Sequence, residues 1–190
     1  MRPFLTLHHP AVARRYYEQG VWQVDTFYGL LARHARERPG APALQDGRCR
    51  LTWQELQSWV DGVAYDLRAK GLSGGDRVSI WMSNRVEAIV MFLACAREGL
   101  ACNPSLHRTF TCAEIGQLLE RLRARALLTE PGWGADRARA DFDALVNGIS
   151  SLAAVYDPDS LPGASANIQV PVTDPDSVVY LAFTSGTTGT

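Results

Sequence analysis

Charge of one sign is not in excess in this chain: 19 basic residues stand against 20 acidic ones, for a formal net charge of -1. A protein that grips nucleic acid through its phosphates gathers Lys and Arg on one face, and no basic run of that kind appears, which argues against such a role. Long hydrophobic runs are missing as well. The longest purely apolar stretch, residues 88–96, falls far short of the roughly 20 residues that span a bilayer. The first residues, with Arg2-Pro3 and then His8-His9-Pro10, lack the apolar segment that opens a signal peptide, so the cytoplasm is the expected compartment. Cysteine is sparse too. Cys49, Cys95, Cys102 and Cys112 include no C-x-x-C pair and the four histidines do not complete a zinc site, so the thiols read as reduced and structural.

What is present is the composition of a folded globular chain: 46% hydrophobic and 21% charged residues over 190 positions, enough for one core. Residues 10–20 hold Arg14, Arg15, Tyr16, Tyr17 and Glu18 and end at Gly20, which predicts a peripheral helix packing its tyrosines on the domain. Asp25-Thr26 can cap a helix to about residue 38 with Phe27, Leu30, Leu31 and His34 on one face, His34 filling that face rather than catalysing. Residues 41–44 and 49–51 flank Asp46-Gly47, a pair that favours the positive φ angles of a hairpin turn. Thr52 with Glu55 and Thr111 with Glu114 have the spacing of reciprocal capping boxes, and Asn84 with Glu87 offers another capping pair.

Helices are therefore expected from Trp53 with Leu56, Val60, Val63, Ala64 and Leu67 inward, from Val86 with apolar residues almost all round, and after Thr111 with Ile115, Leu118, Leu119 and Leu122 inward. A further helix is expected over residues 134–147. Residues 75–82, 100–102, 126–129 and 152–156 read as strands. Strand alternating with helix predicts an α/β fold with a mostly parallel sheet flanked by helices, whose ligands lie beyond the carboxyl ends of the strands. Residues 157–176 are irregular, and the tetrapeptide Asp-Pro-Asp-Ser recurs at 157–160 and 174–177. It reads as turn chemistry in preference to a carboxylate metal site.

Val178-Val179-Tyr180-Leu181-Ala182-Phe183 then reads as a strand buried on both faces, followed by the hydroxyl- and glycine-rich residues 184–190. Gly186 and Gly189 let the backbone approach a ligand, while Thr184, Ser185, Thr187 and Thr188 donate to oxygens without adding charge, which suits phosphate. An ordinary turn after a strand has the same composition. A Walker A loop is excluded because Gly189 is followed by Thr190 and not by lysine. A dinucleotide fingerprint fails at Gly132-Trp133-Gly134, where Arg137 occupies the place of the third glycine.

Thr184-Ser185-Gly186-Thr187-Thr188-Gly189 resembles the phosphate loop of the AMP-forming adenylating enzymes, the superfamily of acyl-CoA synthetases, luciferases and nonribosomal-peptide adenylation domains. The resemblance extends to Leu51-Thr52-Trp53-Gln54-Glu55-Leu56, to Gly75-Asp76-Arg77-Val78 and to Gly99-Leu100-Ala101-Cys102-Asn103-Pro104, the last departing from the family pattern at Leu100 and Asn103. Arg14-Arg15-Tyr16-Tyr17-Glu18-Gln19-Gly20-Val21-Trp22 and Asn103-Pro104-Ser105-Leu106-His107-Arg108 look most like ligases for alicyclic or aromatic acids, cyclohexanecarboxylate-CoA ligase in particular and aryl-acid–AMP ligases next.

The resemblance implies that a carboxylic acid reacts with ATP to give an acyl-adenylate and pyrophosphate, then with coenzyme A to give a thioester, with Mg²⁺ as companion ion and no ligand for it assignable. It places ATP phosphate binding on Thr184, Ser185, Gly186, Thr187, Thr188, Gly189 and Thr190, and no catalytic residue in this chain. It also implies that residues 1–190 form the N-terminal portion of a large domain whose remainder, with the small C-terminal domain and its catalytic lysine, lies elsewhere. The chain alone is then expected to be inactive. A non-catalytic scaffold or interaction module, with an exposed apolar face that drives dimerisation, is the other reading.

Overall fold

A computed structural model describes residues 9–104, 106–164 and 170–183. The described elements are α1 (Pro10–Glu18), α2 (Phe27–Glu37), β1 (Pro42–Gln45), β2 (Arg50–Thr52), α3 (Trp53–Ala69), β3 (Arg77–Trp81), α4 (Val86–Glu98), β4 (Ala101–Asn103), α5 (Cys112–Leu122), β5 (Ala124–Thr129), α6 (Phe142–Gly148) and β6 (Ala154–Tyr156). β1 and β2 form an antiparallel hairpin, and the main sheet has the order β4-β3-β5-β6 with every neighbouring pair parallel. The expected α/β architecture holds. No described helix is long and apolar enough to cross a membrane.

Alternation of side chains along the strands divides the core in two. Val78, Ile80 and Met82 of β3 and its extension join Ala126 and Leu128 of β5 under α2, α3 and α4, where Val60, Val63, Leu67, Val90 and Met91 are buried. Trp81 and Leu127 point to the other side and meet Ile115, Leu119 and Phe142 of α5 and α6. The chain leaves β3 through α4 toward β4 and leaves β5 through α6 toward β6. The sheet thus has helices on both faces and its order reverses between β3 and β5.

Local chemistry explains most starts and stops. Thr52 and Thr111 each accept from the N–H three residues on, while Glu55 and Glu114 return the bond, so both capping boxes form. The pair at Asn84 and Glu87 does not. Arg85 is the N-cap residue there and gives no side-chain cap, because its guanidinium is bound to Glu87, and Asp46 of the hairpin turn accepts from Val86 N–H at 3.1 Å instead. Asp46 also accepts from Arg48 N–H (2.7 Å) and Cys49 N–H (2.9 Å), so this carboxylate shapes the turn, and Gly47 has no positive φ.

Two helices differ from expectation. α2 buries Tyr28, Leu31 and Ala35 and leaves Phe27 half exposed, because the helix is turned so that Tyr28 donates to Asp61 (2.7 Å) with Arg97 over its ring. His34 fills the outer side against the Trp53 ring at 4.6 Å. α6 starts at Phe142 rather than near residue 134: Gly134 has φ 133, and Asp136 accepts from Cys112 N–H (2.8 Å) at the head of α5, which holds residues 134–140 in turns.

From β6 onward the described parts of an irregular strap lie against α3 and α4, and residues 178–183 stand at the opposite edge of the sheet. Those parts are pinned where Gly163 lies on Gly62 of α3, where Val172 N–H donates to Arg97 O (2.8 Å), and where Tyr17 of α1 donates to Asp176 (2.7 Å).

Candidate functional site

Thr184, Ser185, Gly186, Thr187, Thr188, Gly189 and Thr190 lie outside the described residues. What is described is how the chain arrives at them. Residues 178–183 run beside β4, with a parallel bridge between Cys102 and Tyr180. Cys102 N–H donates to Val179 O (3.0 Å), and Leu181 N–H donates to Cys102 O (2.8 Å). The segment therefore points along the strands toward their carboxyl ends, the side where ligands of open α/β sheets bind.

The expectation of a strand buried on both faces is not met. Among the described residues the segment pairs through a single bridge, Tyr180 is 53% exposed, and its neighbours are only half buried. It is an edge with β4 on one side and no described strand on the other.

At the carboxyl edge Asn103 ends β4, fully buried, and its amide donates to Leu181 O at 2.8 Å. Trp81 ends β3 and donates through Nε1 to His107 O at 3.0 Å, and Phe183 packs on the same cluster. A charged cluster lies between the ends of β3 and β5. Arg85 is buried with Nη2 2.6 Å from Glu87 and 2.5 Å from Asp159, and Nη1 3.6 Å from Glu130. Arg48 reaches Asp159 at 3.2 Å. The Glu87 hydrogen bond raises the Arg85 pKa, and the Arg85 hydrogen bond holds Asp159 below the usual carboxylate range. Burial works to raise Glu130, but bonds from Ser83 outweigh it and the net shift is downward.

The cluster does not fit Mg²⁺, since Glu87, Glu130 and Asp159 all face Arg85. Among the described residues no group of three or more His, Cys, Asp or Glu can hold a metal. Sequence reasoning missed this cluster, because Arg85 and Asp159 are 74 residues apart. A partial signal was the repeated Asp-Pro-Asp-Ser. Asp157 accepts from Asp159 N–H (2.8 Å) and Asp174 from Asp176 N–H (3.0 Å), the same turn twice. Each turn frees its second aspartate for a distant partner, Arg85 in one case and Tyr17 in the other.

A groove of about 700 Å³ lies at the amino ends of the strands, lined by Asp76, Arg77, Arg123 and Arg125 among others. It lies at the opposite end of the strands from the one toward which residues 178–183 run, and Arg77 is spent on the carbonyls of Gly75, Leu122 and Arg123. The thiols are unpaired by disulfides. Burial raises Cys95 well above its ordinary pKa, and burial with Asp136 pushes Cys112 up to about 11, so neither is a ready nucleophile.

The family model described as AMP-binding enzyme matches residues 31–190. A 2-hydroxy-7-methoxy-5-methyl-1-naphthoate–CoA ligase of Streptomyces carzinostaticus is 38% identical over 117 residues, covering 62% of this chain and 21% of the relative. Nonribosomal peptide synthetase 8 of Aspergillus fumigatus is 29% identical over 173 residues, covering 88% of this chain and 2% of the relative. The solved structure of VinN with 3-methylaspartate superposes with a TM-score of 0.67 at 24% identity, covering 87% of this chain and 45% of that one. The chain thus spans less than half the length of each.

Proposed function

The chain belongs to the AMP-binding enzyme family, and from that membership we propose that it is the N-terminal part of the large domain of an ATP-dependent, AMP-forming carboxylic acid–CoA ligase. In the first step a carboxylate oxygen of the acid attacks the α-phosphorus of ATP and pyrophosphate leaves, giving an acyl-adenylate. In the second the thiol of coenzyme A attacks the acyl carbonyl, and AMP leaves as the thioester forms.

The contribution assigned to this chain is electrostatic. Hydroxyls of Thr184, Ser185, Thr187 and Thr188, with backbone N–H groups at Gly186, Gly189 and Thr190, donate to the phosphate oxygens on which charge grows as pyrophosphate departs. Each such charge-assisted bond contributes about 1.5–3 kcal/mol. Mg²⁺ accompanies ATP by family resemblance, with no step here routed through it.

One observation carries the reading: the parallel pairing of residues 178–183 with β4, which brings the chain to the carboxyl edge of the sheet immediately before the hydroxyl-rich loop. The naphthoate–CoA ligase favours an aromatic acid and a CoA acceptor, with alicyclic and fatty acids as the other substrate classes. The peptide synthetase favours a second reading, in which the adenylate is passed to a carrier protein.

Acid-dependent exchange of labelled pyrophosphate into ATP, run on the full-length protein with aromatic, alicyclic and fatty acids, tests the first step. Exchange with one class is expected, while none with any acid overturns the reading. Thioester formation with coenzyme A against a phosphopantetheinylated carrier then separates the two acceptors. The 190-residue chain by itself is expected to give no exchange, and exchange by it would show that the loop and its scaffold suffice.

A further inference from the structure

We propose that Asn103 is a positioning residue for the ATP step, standing in for a backbone donor that Pro104 removes; the inference rests on the adenylation reading above. In a parallel ladder the bonds between two strands alternate at every second residue. Here Cys102 N–H donates to Val179 O, and Leu181 N–H donates to Cys102 O. Continuing that register, the next bond would run from the N–H of residue 104 to Leu181 O. Residue 104 is proline and has no N–H. The carbonyl of Leu181 would lose its ladder partner three residues before Thr184.

The fully buried amide of Asn103 fills that place, with Nδ2 donating to Leu181 O at 2.8 Å. Leu181 is thus held at both main-chain groups, its N–H by the backbone of β4 and its C=O by a side chain of β4. The substitution of side chain for backbone has a geometric result. Pro104 stops β4 from pairing further, so the partner segment is free to leave the sheet beyond Leu181. Asn103 then decides the height at which it leaves. Only Ala182 and Phe183 separate that anchor from the hydroxyl-rich residues 184–190, so an error at Leu181 is passed first to the proposed phosphate donors.

The test is steady-state exchange kinetics in the full-length enzyme. Asn103→Ala is expected to raise the KM for ATP about tenfold, the scale of one buried hydrogen bond, with the KM for the acid within about twofold. Adding Pro104→Ala restores a backbone N–H at the vacant ladder position and is expected to recover most of the ATP affinity, a rescue that a merely structural role does not predict. Asn103→Leu fills the side-chain volume and cannot donate. It carries the same expectation and serves if Asn103→Ala is insoluble. Wild-type exchange with an unchanged ATP KM in folded Asn103→Ala or Asn103→Leu overturns the positioning role alone. So does a parallel rise in both KM values that Pro104→Ala does not relieve. A wild-type enzyme without acid-dependent exchange overturns the adenylation reading and this inference with it.

Discussion

Gly62 sits inside α3, where alanine would ordinarily be the better residue by about 1 kcal/mol. Tertiary contact reverses the sign. A Cβ at this position would stand 1.8 Å from Gly163 O, a backbone atom of the strap that cannot swing aside as a side-chain tip can. Gly62→Ala is therefore expected to destabilise the protein by about 2 kcal/mol or more, read from chemical denaturation, and a neutral or stabilising effect would show that the strap does not rest on α3. Asp46 makes a similar point. Its sequence context, Asp46-Gly47, predicts a hairpin through glycine φ angles, yet the carboxylate does the work by accepting from Arg48, Cys49 and Val86 N–H groups.

At the scale of elements, carboxylates hold ends together: Asp46 and Glu114 at helix starts, Asp136 between residues 134–140 and α5, and Asp159 between the strap and Arg85. All four have pKa values lowered in the fold, Asp46 chiefly by the Cys49 N–H, Glu114 by the Thr111 N–H, Asp136 by the Cys112 N–H and Asp159 by Arg85. A folded pKa below the unfolded one contributes stability that is full above the unfolded value and is lost as pH falls through the folded value. Stability is thus expected to decline on acidification from about pH 4 downward, as denaturant midpoints against pH would show. Asp159→Asn should flatten part of that decline, and an identical profile in this variant would remove the Arg85 clamp from the account.

The two capping boxes were legible from four-residue spacings, because both partners lie in one turn of helix. The cap on α4 was not. Its acceptor, the Asp46 carboxylate, arrives from a hairpin 40 residues away, and no local pattern announces it. The same distance effect hid the Arg85 cluster and shifted the buried face of α2 toward Tyr28, whose partner Asp61 belongs to α3.

At the scale of the whole molecule, no described strand pairs beyond residues 178–183, which leaves that edge of the sheet open among the described residues. Phe27, Phe92 and Tyr180 form an aromatic row beside the open edge, with ring centroids 5.3 Å and 6.4 Å apart, and Phe27 and Tyr180 are each more than half exposed. An exposed apolar row beside an unpaired strand edge favours self-association. The isolated chain is expected to show a hydrodynamic size that grows with concentration in light scattering, reduced by Phe27→Lys with Tyr180→Lys. A size independent of concentration would show the row to be inert.

The sequence by itself determined the α/β class, the order of strands and helices and two capping boxes, since these depend on periodicity and short spacings. Only the tertiary structure decided which faces are buried, what caps α4, where the strap is pinned, and how residues 178–183 meet β4. Each of those is a meeting of groups far apart along the chain, and their geometry exists only once the sheet and its helices have closed around them.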